Sequence, residues 1–89
     1  MAFKTYREPT VYNAVSLWNI SEWFSSNQLL PKAVELLPQS SMSINVYAVA
    51  KILRVFESRG LLEARKKNGV KEYRRIREEW PYGDSHFHA

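Results

Sequence analysis

The sequence predicts an α+β domain that is mainly helical, with three helices followed by a C-terminal β-hairpin. Three observations lead there. Apolar residues recur at helical spacing in two stretches, 10–24 and 46–58. Gly60 closes the second stretch. An Asn68-Gly69 pair then stands between two runs with alternating polarity. Eighty-nine residues make one small domain, which on folding buries roughly 60 to 65% of the surface its unfolded chain exposes.

Taken in order, residues 1–10 read as an N-terminal arm, 11–76 as the domain and 77–89 as a C-terminal tail. A first helix over 10–24 has Thr10 as a permissible N-cap and stops at Ser25-Ser26-Asn27. Its wheel is apolar nearly all round. Val11, Ala14, Val15 and Trp18 form one stripe, Leu17, Ile20 and Phe24 a second, and Tyr12 with Trp23 a third. A short strand is expected near Leu29-Leu30. Pro31 suits the first turn of a second helix over 32–37, which Pro38 helps to end.

The third helix, 46–58, is the clearest element. Val46, Val49, Ile52, Leu53 and Phe56 fall on one face, with Asn45 or Ser43 available as cap. With Val46 at the origin and about 100° per residue, Tyr47, Arg54, Ser58 and Lys51 lie between roughly 80° and 140°, and Ser43 joins them if the helical phase extends backwards. Gly60 suits the left-handed position after the helix. A type I′ turn at Asn68-Gly69 then pairs Lys67 with Val70, Lys66 with Lys71, Arg65 with Glu72, Ala64 with Tyr73 and Glu63 with Arg74. This register puts two opposite-charge pairs on one face and Leu62, Ala64 and Tyr73 on the other. Lys66, Lys67 and Lys71 are left at the tip with no acid expected beside them.

Charge is unevenly distributed. Residues 1–50 are neutral, 51–77 carry ten basic residues against three acidic ones for a net of +7, and residues 78–89 are −3. A basic third of the chain on a neutral body is the electrostatic footprint expected of a polyanion binder. No run approaches the roughly 18 apolar residues of a membrane span. The start lacks a secretory pattern and the chain has no cysteine, so an intracellular, cytoplasmic setting is expected.

Helix, short strand, helix, turn, helix and basic hairpin is the element order of a winged-helix domain. The stretch Val49-Ala50-Lys51-Ile52-Leu53-Arg54-Val55-Phe56-Glu57-Ser58-Arg59-Gly60-Leu61-Leu62 resembles the recognition-helix segment of winged helix-turn-helix regulators such as the MarR and PadR groups. Those groups share its valine, paired aliphatics, apolar-Glu step and Gly-Leu-aliphatic exit. Tyr73 stands where they often carry an aromatic in the last wing strand. Element order is similar over residues 11–76 and motif detail over 45–73. The turn 38–43 is longer than in many relatives, and Arg75 replaces a frequent aliphatic. No effector domain or long dimerisation helix is visible, so the resemblance does not imply a ligand-sensing repressor.

The resemblance implies that the third helix enters the major groove of duplex DNA and that the hairpin lies along the neighbouring backbone. Geometry favours the same placement, since a groove about 12 Å wide admits an α-helix and side chains near its leading end reach base edges. Candidate readers are Ser43, Asn45, Tyr47, Ala48 and Lys51, with Arg54 on phosphate. An Asn at this position is more often a helix cap than a base reader, and capping is the favoured reading for Asn45. On the wing, Arg65, Lys66, Lys67 and Lys71 are candidates for phosphate or the minor groove.

The expectation is a sequence-specific double-stranded DNA-binding protein acting in transcription regulation. The alternatives are a winged helix used for protein contact and an architectural or replication accessory DNA binder. Six of the twelve aromatic residues fall within the first 24 positions, more than one small core readily uses. A homodimer is therefore expected, with Tyr12, Trp18 and Trp23 in its interface together with the arm. Such a dimer would set two recognition helices about 34 to 36 Å apart. Catalysis is not expected: there is no cysteine nucleophile, no histidine outside the tail and no Gly-rich phosphate loop. His86 and His88 fall short of the ligands a metal site needs, so neither a metal nor another cofactor is expected, nor is a small-molecule ligand.

Overall fold

The computed structural model describes residues 6–39 and 41–76. The first helix, α1, runs Arg7–Ser16 and so begins inside the stretch read as an arm. Pro9 fits its first turn, where a missing N–H costs nothing. Thr10, expected as the cap, is instead a buried helical residue whose N–H donates to the Tyr6 carbonyl at 3.0 Å. Val11, Ala14 and Val15 bury the stripe predicted for them.

The helix does not continue to Phe24. Ser16 Oγ donates back to the Tyr12 carbonyl at 2.8 Å, and two residues beyond Leu17 the Asn19 side chain takes over the backbone. Asn19 Oδ1 accepts from the Ser21 N–H at 2.9 Å and from Ser21 Oγ at 2.7 Å. Local side-chain acceptors of this kind compete with helical bonding and turn the chain. The apolar spacing that suggested a long helix instead carries the chain into a strand, β1, Phe24–Ser25.

Ser25 then caps α2, Ser26–Glu35. Its hydroxyl accepts from the Gln28 N–H at 3.2 Å while Gln28 Oε1 accepts from the Ser25 N–H at 2.9 Å. This reciprocal capping box satisfies two donors that would otherwise be orphaned at the helix start. Leu29 and Leu30, expected as a strand, are helical; Leu29 is buried with Ala33, and Pro31 lies inside the helix rather than at its start.

The third helix, α3, is Val46–Ser58 as expected. Asn45 Oδ1 accepts from the Ala48 N–H at 2.9 Å. At the far end Gly60, at φ +78°, lets its own N–H reach the Glu57 carbonyl and the Leu61 N–H reach that of Phe56, each at 3.0 Å. These two bonds make a Schellman closure. Strands β2, Leu62–Lys67, and β3, Val70–Arg75, form the hairpin in the expected register. Asn68 and Gly69, at φ 52° and 80°, make its type I′ turn.

The sheet is antiparallel in the order β1-β3-β2, with Phe24 opposite Tyr73 and Ser25 opposite Glu72. Its inner face contributes Phe24, Leu62 and Tyr73 to the core, where they meet Val49, Ile52, Leu53 and Phe56 of α3 and the buried faces of α1 and α2. The described residues thus form an α+β fold of three helices and one three-stranded sheet. No helix of the described residues is long and apolar enough to cross a membrane.

The three rings expected at a dimer interface are engaged within the chain. Tyr12 and Trp18 pack half-buried on the core, with Trp18 5.5 Å from Phe24 between ring centres. Trp23 lies outside any helix, against the guanidinium groups of Arg65 and Arg74 at 4.3 and 4.4 Å. The remainder of the arm, and the tail with Trp80, Tyr82, His86 and His88, lie outside the described residues.

Candidate nucleic-acid interface

The Val49-Ile52-Leu53-Phe56 stripe turns the opposite side of α3 outward. That side carries Tyr47, 80% exposed, with Lys51 and Arg54, both exposed. It forms one wall of an open groove of about 680 Å³. Ala50 belongs to the same wall. The hairpin supplies the facing wall with Gly69, Val70, Lys71 and Tyr73, and the start of α2 supplies Ser25, Ser26 and Asn27. Helix dipoles leave their N-terminal ends positive, so three side-chain cations and the leading end of α2 share one concavity.

Four residues selected from the sequence, Tyr47, Lys51, Arg54 and Lys71, are thus brought together. The others are placed elsewhere. Ala48, a candidate reader, sits on the flank of α3 that packs on the core. Asn45 is extended, at φ −116° and ψ 173°, and its side-chain oxygen is occupied by the cap. Ser43 precedes that residue outside the helix, so the helical phase does not extend back to it; its carbonyl accepts from Tyr6 Oη at 2.8 Å.

The hairpin divides its charges between two faces. Glu63, Arg65, Glu72 and Arg74 alternate onto the outer face, where Arg65 Nε meets Glu72 at 2.8 Å and Arg74 Nε and Nη2 meet Glu63 at 2.9 and 2.8 Å. Arg65 therefore has a carboxylate and the Trp23 ring as partners, on the side away from α3. Lys66 and Lys67 are exposed near the tip, Lys66 directly across from Lys71.

Lys71 corrects one expectation. The tip is not without an acid, because Glu57, on the hairpin side of α3, accepts from Lys71 Nζ at 3.0 Å. The Lys71 ammonium also stands 5.3 Å from the centre of the Tyr73 ring. The hydrogen bond to Glu57 is the main reason the Lys71 pKa lies above the ordinary lysine value, with desolvation acting against it.

Sequence reasoning missed Ser25, Ser26, Asn27 and Ala50. A signal existed for the first: Ser25-Ser26-Asn27-Gln28 before Leu29-Leu30 is the S-x-x-Q pattern of a capping box. Ala50 shows only as a small residue between the core stripe and the polar stripe. Comparison with protein-family models, curated proteins and solved structures finds no match for this chain.

Proposed function

We propose that this is a winged-helix domain that binds double-stranded DNA with sequence preference and serves transcription regulation. One observation carries the reading: the exposed face of α3, with Tyr47, Lys51 and Arg54, opens onto the same groove as Lys71 of the hairpin. The order α1, β1, α2, α3, β2, β3, with β1 closing the sheet against β3, is compatible with the winged-helix topology and supports it further. In this reading α3 enters the major groove, Tyr47 and Lys51 meet base edges, and Arg54, Lys66, Lys67 and Lys71 meet phosphate.

A dimer is expected from the sequence because its aromatic surplus lacks evident cover, yet Trp18 and Trp23 have cover within the chain. The proposed binding unit is accordingly one domain. Sedimentation at micromolar concentration, alone and with duplex, tests that; a two-fold dimer on an inverted repeat overturns it.

The function is tested by selecting bound duplexes from a random pool after measuring affinity for random duplex at two salt concentrations. Enrichment of a common sequence is expected. Salt-sensitive binding without enrichment assigns the domain to architectural DNA binding. No binding at either salt defeats the nucleic-acid reading and leaves protein contact.

A further inference from the structure

The Arg65–Glu72 and Arg74–Glu63 ion pairs lie on the outer face of the hairpin, and Lys32–Glu35 lies near the end of α2. A further pair, Lys71–Glu57, bridges the hairpin to α3, with Lys71 lining the groove. Both side chains are partly open to solvent, at 41% and 36%, so a second anion can compete for the ammonium. A carboxylate beside a surface that meets a polyanion opposes that meeting through like-charge repulsion. Here it also occupies the cation that would do the neutralising.

The geometry points to Glu57 as a positioning residue that holds Lys71 on the groove wall, so that duplex phosphate must displace this carboxylate before Lys71 can pair with it. The assignment rests on the duplex-binding reading above. Lys71 stands directly opposite Lys66, and like charges in cross-strand positions repel. Glu57 relieves that repulsion in the free protein, and phosphate relieves it in the complex. Glu57 therefore stabilises the unbound hairpin and lowers affinity for any duplex, random sequence included, so that contacts from α3 to the bases weigh more in the total. It makes no contact with DNA itself.

Four proteins test this by fluorescence anisotropy on random-sequence duplex: the unaltered chain, Glu57→Gln, Lys71→Ala and the double variant. Glutamine keeps the shape of Glu57 and removes only its charge, and circular dichroism with thermal melting verifies that each variant is folded. Glu57→Gln is expected to tighten binding about two- to fivefold, the range that opening a partly exposed ion pair spans. In the Lys71→Ala background the same change is expected to have little effect. Unchanged affinity in Glu57→Gln, while the unaltered chain binds, overturns the role of Glu57 and leaves duplex binding intact. Equal tightening in both backgrounds overturns it too, because the effect is then through-space repulsion and not release of Lys71. Absence of duplex binding by the unaltered chain defeats the duplex reading and this role together.

Discussion

Arg65 places its guanidinium carbon 4.3 Å from the centre of the Trp23 ring while its Nε donates to Glu72 at 2.8 Å. Arg74 repeats the arrangement from the adjacent strand, at 4.4 Å from the same ring and held by Glu63. Two basic residues counted into the positive third of the chain are thus committed to intramolecular partners on the outer face of the sheet. The basic surface left for a ligand is narrower than composition suggests.

Arg65→Ala is therefore expected to act on the fold and not on phosphate. Removing the cation–π interaction and the ion pair should cost about 1 kcal/mol and shift the Trp23 emission. The salt dependence of duplex binding should stay as it is. A salt slope flattened by about 0.9 would return Arg65 to the residues that meet phosphate.

Lys66 and Lys67 are exposed near the tip with no carboxylate held to them among the described ion pairs. Replacing both by alanine should leave the melting temperature unchanged and weaken binding to preferred and random duplex alike. The slope of log K against log salt should flatten by about 0.9 for each phosphate that is no longer neutralised. Unaltered affinity with an intact fold would remove the tip from the interface.

On α3 the expected split runs between reading and positioning. Tyr47→Ala and Lys51→Ala should each cost about 1 to 3 kcal/mol more on a preferred sequence than on random duplex. Arg54→Ala should weaken both equally. Equal losses on the two duplexes for Lys51→Ala would move it to the residues that meet the DNA backbone.

Gly60 isolates a purely conformational cost. It adopts φ +78°, yet a Cβ built there meets nothing within 4 Å. Gly60→Ala should then destabilise the domain by about 1 to 2 kcal/mol, the penalty of the left-handed region for a residue with a Cβ. Chemical denaturation measures it, and a neutral result would mean that the Schellman closure adapts its backbone.

The raised Lys71 pKa carries a definite sign. A group that binds its proton more tightly in the folded state contributes stability that is full below its unfolded pKa, about 10.4, and is lost as pH rises through the higher folded value. The stability difference between the unaltered chain and Lys71→Met should therefore stay constant from about pH 7 to 10 and shrink above about pH 10.4. A difference that persists at still higher pH would assign the contribution of Lys71 to packing on Tyr73 and not to Glu57.

The elements legible in the sequence are those held by near neighbours. Asn45 caps α3 through Ala48, Gly60 closes it through Glu57 and Phe56, and Asn68-Gly69 imposes the hairpin register from Lys67–Val70 to Glu63–Arg74. Period, cap and turn chemistry act within a few residues, so α3 and the hairpin follow from the sequence alone. Phe24–Ser25 is different. Its apolar spacing fits a helix as well as a strand, and only pairing with Tyr73 and Glu72, near the other end of the described chain, selects the strand. That pairing places Ser25, and with it the start of α2, at the groove, and it leaves Leu29-Leu30 helical. Likewise, Glu57 and Lys71 give no sequence signal as a pair. They meet because β2 and β3 fold back beside α3, an angle set by the shared core of Leu53, Phe56, Leu62 and Tyr73. Local chemistry determined the parts of the surface, and burial of that common core decided which of them face one another.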